Sequence, residues 1–175
     1  MSKLNYNYEG RTIYIISGPC GVGKSTLAKD LVNHLEKSVL IHGDDFLSMY
    51  GQGSEPPWEE NLTIMWKNIL SLTQNLIQHG FNIVIDTVVE DELQWFCKHF
   101  SHLKIKIKYI VLRAESQTLC DRLQTRGDTY LINRSLALLN QLENRPENKK
   151  YLYDTTKKHP NEVLNDVLTM TKFEL

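Results

Sequence analysis

The sequence has little of what would commit a chain to a special environment. Its three cysteines, Cys20, Cys97 and Cys120, are odd in number and widely spaced. Such a set gives neither a disulfide framework nor a CxxC zinc pattern. The six histidines, His34, His42, His79, His99, His102 and His159, show no metal-ligand spacing and read as surface or turn residues. Twenty Lys+Arg stand against 21 Asp+Glu, a formal net charge of −1. The basic excess of a sequence-independent nucleic-acid binder is therefore missing. No apolar run approaches the ~18–20 residues of a membrane span, and Met1 to Gly10 is too polar for a signal peptide. These absences predict a cytoplasmic chain, monomeric or dimeric, without structural metal, membrane or nucleic acid. Hydrophobic residues make up 41% and charged residues 23% of the 175. Those proportions fit one ordinary globular domain, large enough to fold without covalent staples.

Strand-like apolar runs alternate with helical patterns along the whole chain, which predicts an α/β domain with a parallel sheet. Thr12–Ile16 is β-rich and closes at Gly18. Lys24 to Lys37 places Leu27, Ala28, Leu31, Val32 and Leu35 on one helical face. Val39–Ile41 predicts a second strand ending at His42-Gly43-Asp44-Asp45, and Gly51 to Pro57 a loop. Glu59 to His79 is a long amphipathic helix stopped by Gly80. Ile83–Ile85 is a third strand closed by Asp86, followed by a short helix within Glu90–Phe100. Ile105–Leu112 is a fourth strand, and the alternation of Lys104, Lys106 and Lys108 with isoleucine predicts a solvated face or sheet margin. Helices follow over Glu115–Arg126 and Thr129–Glu143, then a brief strand at Tyr151–Tyr153 and a last helix from Pro160.

The chemistry enters at Gly18-Pro19-Cys20-Gly21-Val22-Gly23-Lys24-Ser25, a full match to G-x-x-x-x-G-K-[ST] between a predicted strand and a predicted helix. Average composition gives a chance match in about one chain of this length in a hundred. Glycine lets successive backbone N–H groups turn inward around an anion, and the following helix points its positive end at the same place. Lys24 reaches the β- and γ-phosphates of a nucleotide as a point charge, and the Ser25 hydroxyl is a ligand for Mg²⁺. In an open parallel sheet the ligand sits beyond the carboxyl ends of the strands. Asp44, Asp45, Asp86 and Asp154 all fall at that edge. Asp86, ending an apolar strand, has the form of a Walker B carboxylate for Mg²⁺, and Asp44 that of a base beside a substrate hydroxyl.

These residues resemble the small P-loop kinases and phosphotransferases related to shikimate kinase, gluconate kinase and chloramphenicol phosphotransferase, and most of all gluconate-kinase-like bacterial proteins. The likeness runs from Ile13 to about Leu168. It rests on GPCGVGKST, IHGDD, PPWEENLTIMWKNI, IVIDT, YIVLRAESQTLCDRLQTRGD and YLYDTT, of which only the first is highly specific. The resemblance implies a P-loop NTPase sandwich with a five-stranded parallel sheet of order 2-3-1-4-5 and helices on both faces. It implies one domain over 1–175, with a helical lid over 122–145 and an acceptor loop over 43–60. By the same likeness ATP with Mg²⁺ is the phosphoryl donor, and Thr26 joins the phosphate loop. Arg122 and Arg126 stand where lid arginines reach the phosphates and the adenine, with Arg122 expected at the transferring phosphoryl. Asp154 and Thr155 match the loop that borders the adenine.

Departures from those families concentrate on the acceptor side. The shikimate kinase D-x-D after strand two is GDD here, and its glycine run after strand three is TVVED. The gluconate kinase GD-x-x-H has Ser48 and no histidine nearby, and the acidic DDDR-x-PWL stretch is absent. The acceptor segment Phe46–Trp58 is this chain's own, and Trp58 is a candidate for lining it. The reading that results is an ATP-dependent small-molecule kinase acting on a hydroxyl. A nucleoside or nucleotide kinase and a nucleotide-binding switch stand beside it. Asn148-Lys149-Lys150-Tyr151, the nearest approach to a guanine-reading N-K-x-D, lacks the aspartate.

Overall fold

The computed structural model describes residues 10–175. Five strands form one all-parallel sheet: β1 (Thr12–Ser17), β2 (Ser38–His42), β3 (Asn82–Asp86), β4 (Lys106–Arg113) and β5 (Leu152–Asp154). Their order is β2-β3-β1-β4-β5, as the resemblance implied. Helices α1 (Lys24–His34), α2 (Gly43–Leu47), α3 (Trp58–Gln78), α4 (Leu93–Lys98), α5 (Ser116–Arg126), α6 (Ile132–Asn144) and α7 (Pro160–Thr169) connect and cover the strands. A parallel sheet has to be covered on both faces, and the alternation of side chains along β1 shows how. Ile13 and Ile15 enter a core with Met65, Trp66, Ile69, Ile77 and Phe96 from α3 and α4. Tyr14 and Ile16 enter the opposite core with Leu27, Leu31, Leu119, Val163 and Val167 from α1, α5 and α7.

Three differences from the sequence reading have physical reasons. Asp44 and Asp45 do not lie in a loop but in α2, a five-residue helix, which two acidic residues in its first turn favour. The lysine series is a solvated face only in part: Lys104 and Lys106 are exposed, as expected, but Lys108 is not. Lys108 is only 5% exposed, and its ammonium donates to Val167 O, Leu168 O and Met170 O at 3.0, 2.9 and 3.2 Å. It closes the carbonyl end of α7, the end of a helix that favours a cation. The predicted helix over 129–143 begins as a 3₁₀ turn at Thr129–Leu131 and becomes α-helical only from Ile132.

Strand register brings the candidate chemistry to one edge. Asp86 lies opposite His42 on β2 and Ile16 on β1, two residues before the first glycine of the phosphate loop. Thr87 N donates to Ile16 O at 3.2 Å and Val89 N to Ser17 Oγ at 3.0 Å, fastening the segment after β3 to β1.

Candidate functional site

The phosphate loop is a tight turn whose glycines are required by sterics. Gly18 has φ 145°, and a Cβ there would stand 2.6 Å from Leu112 O on β4. Gly21 has φ 76°, and its Cβ would stand 2.8 Å from Leu123 Cγ. Both backbones lie where a side chain is strained and where a neighbour leaves no room. Gly23, in the left-handed conformation, ends the loop and begins α1 without any side-chain cap. The first N–H groups of α1 are thus left for an anion. Lys24 bends back over the loop, its ammonium donating to Gly18 O at 3.0 Å and Pro19 O at 3.2 Å. Cys20 is held from the other side, because Ser135 Oγ on α6 donates to its carbonyl at 2.7 Å.

Beside this loop lies a cavity of about 480 Å³. Val22, Leu27, Leu112, Pro160 and Val163 supply apolar walls, with Thr26, Arg122, Arg126 and Thr155 among the polar groups. Its size and mixed lining suit a flat heterocycle with a sugar attached. Arg122, expected at a transferring phosphoryl, has its guanidinium occupied within the chain. Its guanidinium donates to Val22 O at 3.2 Å and to Thr155 O at 3.2 Å, bridging the phosphate loop to the segment after β5. Arg122 and Arg126 are one turn apart on α5, as expected, but Arg126 turns outward to Asp128 at 3.0 Å. The segment expected as a lid splits in two. Ser135, Leu138, Leu139 and Leu142 are buried, so α6 belongs largely to the core and only the stretch around 126–134 stands free.

Thr155 lines the cavity, whereas Asp154 is not among the residues around it. Asp154 is paired with Arg113 and accepts from Thr156 N at 2.8 Å. Partial burial alone would raise its pKa, yet the bonds from Thr156 and Arg113 outweigh it and hold the carboxyl below its usual range. Asp154 therefore fixes the wall-forming loop. Asn148, from the near-miss to N-K-x-D, is buried. It accepts from Tyr109 OH at 3.2 Å and donates to Leu142 O at 3.0 Å, a structural role away from any base.

On the other side of the loop, Asp86 is 6% exposed. One of its oxygens takes His42 Nδ1 at 3.1 Å, so His42 is not the simple turn residue its spacing suggested. Two adjacent parallel strands ending in IH and ID carried that signal, since the register places their last residues side by side. Asp44 and Asp45 are both exposed at the start of α2. Gly43 lets α2 approach closely, since a Cβ there would meet Thr87 Oγ1 at 2.4 Å. Trp58 is 48% exposed at the start of α3, with the guanidinium of Arg134 on α6 lying 5.5 Å from its ring centre. Sequence reasoning missed Arg134; its place twelve residues after Arg122, in the first turn of the next helix, was the available sign.

A divalent cation would find hard oxygen donors here: the Ser25 hydroxyl in the first turn of α1 and the Asp86 carboxylate at the end of β3. Mg²⁺ takes few protein ligands and completes its shell with water and phosphate oxygens, so this sparse donor set fits it. Among the described residues no group of three or more His, Cys, Asp or Glu could hold a metal, and no helix is long and apolar enough to cross a membrane.

Known proteins agree with this architecture. Over 164 residues the chain is 29% identical to a Pyrococcus furiosus protein named "Putative adenylate kinase", covering 90% of this chain and 83% of that one. The tunicamycin resistance protein of Deinococcus radiodurans superposes with a TM-score of 0.65 at 18% identity, over 92% of this chain and 97% of the other. A gluconokinase from Sinorhizobium meliloti superposes with a TM-score of 0.63 at 13% identity, over 90% and 89%. The AAA domain family matches residues 15–140. The chain belongs to that family of P-loop proteins, and its fold is that of the small P-loop kinases.

Proposed function

We propose that this protein transfers the γ-phosphoryl group of ATP to a hydroxyl of a small molecule. The observation that carries the reading is the placement of Asp44. A free carboxylate stands just past β2, on the side of the phosphate loop opposite the 480 Å³ cavity. A nucleotide whose base and sugar fill the cavity has its phosphates on the loop, and its terminal phosphate then faces the ends of β2 and β3.

The transfer follows from that arrangement. The N–H groups of residues 21–26 and the Lys24 ammonium hold the phosphates, and Lys24 exchanges its contacts with Gly18 O and Pro19 O for phosphate oxygens. Ser25 and Asp86 would hold Mg²⁺, which supplies charge neutralisation of the β- and γ-phosphates. His42 fixes the Asp86 carboxylate from the side. The acceptor oxygen attacks phosphorus, the bond from phosphorus to the β–γ bridging oxygen breaks, and ADP leaves. The hydroxyl proton passes to Asp44, of which a loose transition state asks only modest basicity. Arg122, Arg126, Thr26 and Thr155 belong to the nucleoside side. Catalysis is mostly positioning and charge neutralisation.

A nucleotide acceptor is the second reading, favoured by the similarity to the Pyrococcus furiosus protein. ADP release with Mg-ATP, measured against sugars, sugar acids, antibiotics, nucleosides and AMP, separates the two. Release stimulated by AMP alone would replace the first reading with the second. Turnover independent of every acceptor would leave a nucleotide-binding switch.

A further inference from the structure

We infer that the acceptor carries no phosphate, sulfate or carboxylate, and is a neutral or amine-bearing hydroxyl compound. This rests on the kinase reading above and names the substrate class of the same site. Two segments form the acceptor side: residues 43–60, after β2, and residues 87–92, after β3. The first holds five carboxylates, Asp44, Asp45, Glu55, Glu59 and Glu60, and no lysine or arginine. The second holds three, in the run Glu90-Asp91-Glu92, and again no cation.

Cations reaching in from α6 and its end do not reverse that sign. Arg145 is committed to Asp91 at 2.7 Å and to the carbonyl of Glu90. Arg134 lies over the Trp58 ring. A site for an anion needs charge-assisted donors in fixed geometry, above all arginines. Here a carboxylate or phosphate would meet an excess of charge of its own sign, eight carboxylates against these two arginines.

A second observation concerns hydrogen bonding. Asn61, in the first turn of α3, is 6% exposed. Its Nδ2 donates to Leu47 O at the end of α2, 3.3 Å away, which fixes the amide's orientation. Among the described residues its Oδ1 is buried with no donor, and the Tyr50 hydroxyl, three residues after Leu47, is likewise buried without a partner. A buried amide oxygen calls for a donor, and the Tyr50 hydroxyl can donate or accept. Asn61 Oδ1, Asp44 and Asp45 leave the acceptor side with more acceptors than donors, the complement of a polyol or amino alcohol. The same sign continues into a cleft of about 260 Å³ between the N-terminal ends of α3 and α4, where Glu59 and Glu92 stand with Trp66 and Trp95. Lys67, the cation lining it, lies eight residues and so about 12 Å along α3 from Glu59.

The test is kcat/KM with Mg-ATP on matched acceptors that differ in charge on one skeleton. Glucose, glucosamine, gluconate and glucose 6-phosphate form one set, and adenosine with AMP, cytidine with CMP form others. On every skeleton that is phosphorylated, the neutral or amino member is expected to exceed the anionic member at least tenfold. Glu59→Lys, an exposed change in the first turn of α3, is expected to narrow that ratio threefold or more. An anionic member preferred on any skeleton overturns the inference while leaving the kinase reading intact. An unmoved ratio in Glu59→Lys also counts against it. Failure of every skeleton to accept phosphate, with ATP bound, overturns the kinase reading and this inference with it.

Discussion

The two sides of the phosphate loop are built differently. On the nucleoside side nearly every polar group has a partner within the chain. Arg122 bridges Val22 and Thr155, Lys24 rests on two carbonyls, and Asp154 is fixed by Arg113 and Thr156. On the acceptor side Asp44 and Asp45 are exposed, and Tyr50 OH and Asn61 Oδ1 lack partners. On the proposed reading, the preformed half would bind the nucleotide and the half with open valences would choose the acceptor. Glycine substitutions show the contrast in steric form: Gly18 touches β4, whereas a Cβ at Gly51 meets nothing within 4 Å.

The sharpest break in the comparison comes from Lys24→Ala, which removes the loop's mobile cation. Turnover should fall by about 10³-fold or more and Mg-ATP affinity with it, while the melting temperature stays near that of the unaltered protein. Gly18→Ala should cost about 3 kcal/mol or more, since it combines a strained φ with overpacking against backbone. Gly51→Ala should stay within about 0.5 kcal/mol in the same denaturant titration, as an unremarkable surface change. Lys108→Met should cost about 2 kcal/mol by leaving three carbonyls at the end of α7 unmet, without changing nucleotide affinity. A harmless Lys108→Met would return the lysine to a solvated face.

Arg122→Met keeps the apolar stem and removes the bridge. Nucleotide Kd should rise about tenfold, roughly 1.4 kcal/mol, with kcat changed less than threefold. A kcat that collapses at unchanged Kd would move Arg122 back to the transferring phosphoryl. The smallest effect concerns pH. The Asp154 carboxyl is held below its usual range, so its contribution is present above the unfolded value of about 3.9 and is lost as pH falls through the folded one. Asp154→Asn should flatten that acid limb by less than about 1 kcal/mol, because the pair with Arg113 is half-exposed.

The phosphate loop was legible in the sequence for a physical reason. Wrapping backbone around a phosphate requires glycine at fixed positions and a lysine after them, so the residues spell out the geometry. Strand order also followed, through resemblance. Burial of Lys108 was not legible, because an alternating Lys–Ile strand looks alike whether its lysines meet water or the end of a helix. The partnership of His42 with Asp86 depends on β2 and β3 being neighbours in register, which neither strand records alone. The bridge that Arg122 makes from Val22 to Thr155 was not legible either, since a helical pattern fixes a face and not the reach of a side chain. The acceptor loop follows no shared pattern, and its content appears only as charge sign and unpartnered atoms.

The claim that one half binds the nucleotide and the other performs the transfer is tested most directly by Asp44→Asn. Mg-ATP affinity and acceptor-dependent turnover are measured on that variant beside Asp45→Asn and Asp86→Asn, with the best acceptor found. Asp44→Asn is expected to keep wild-type Mg-ATP affinity and lose transfer, Asp86→Asn to impair the use of Mg-ATP, and Asp45→Asn to change least. Full transfer in Asp44→Asn, or loss of nucleotide binding together with transfer, would contradict the account.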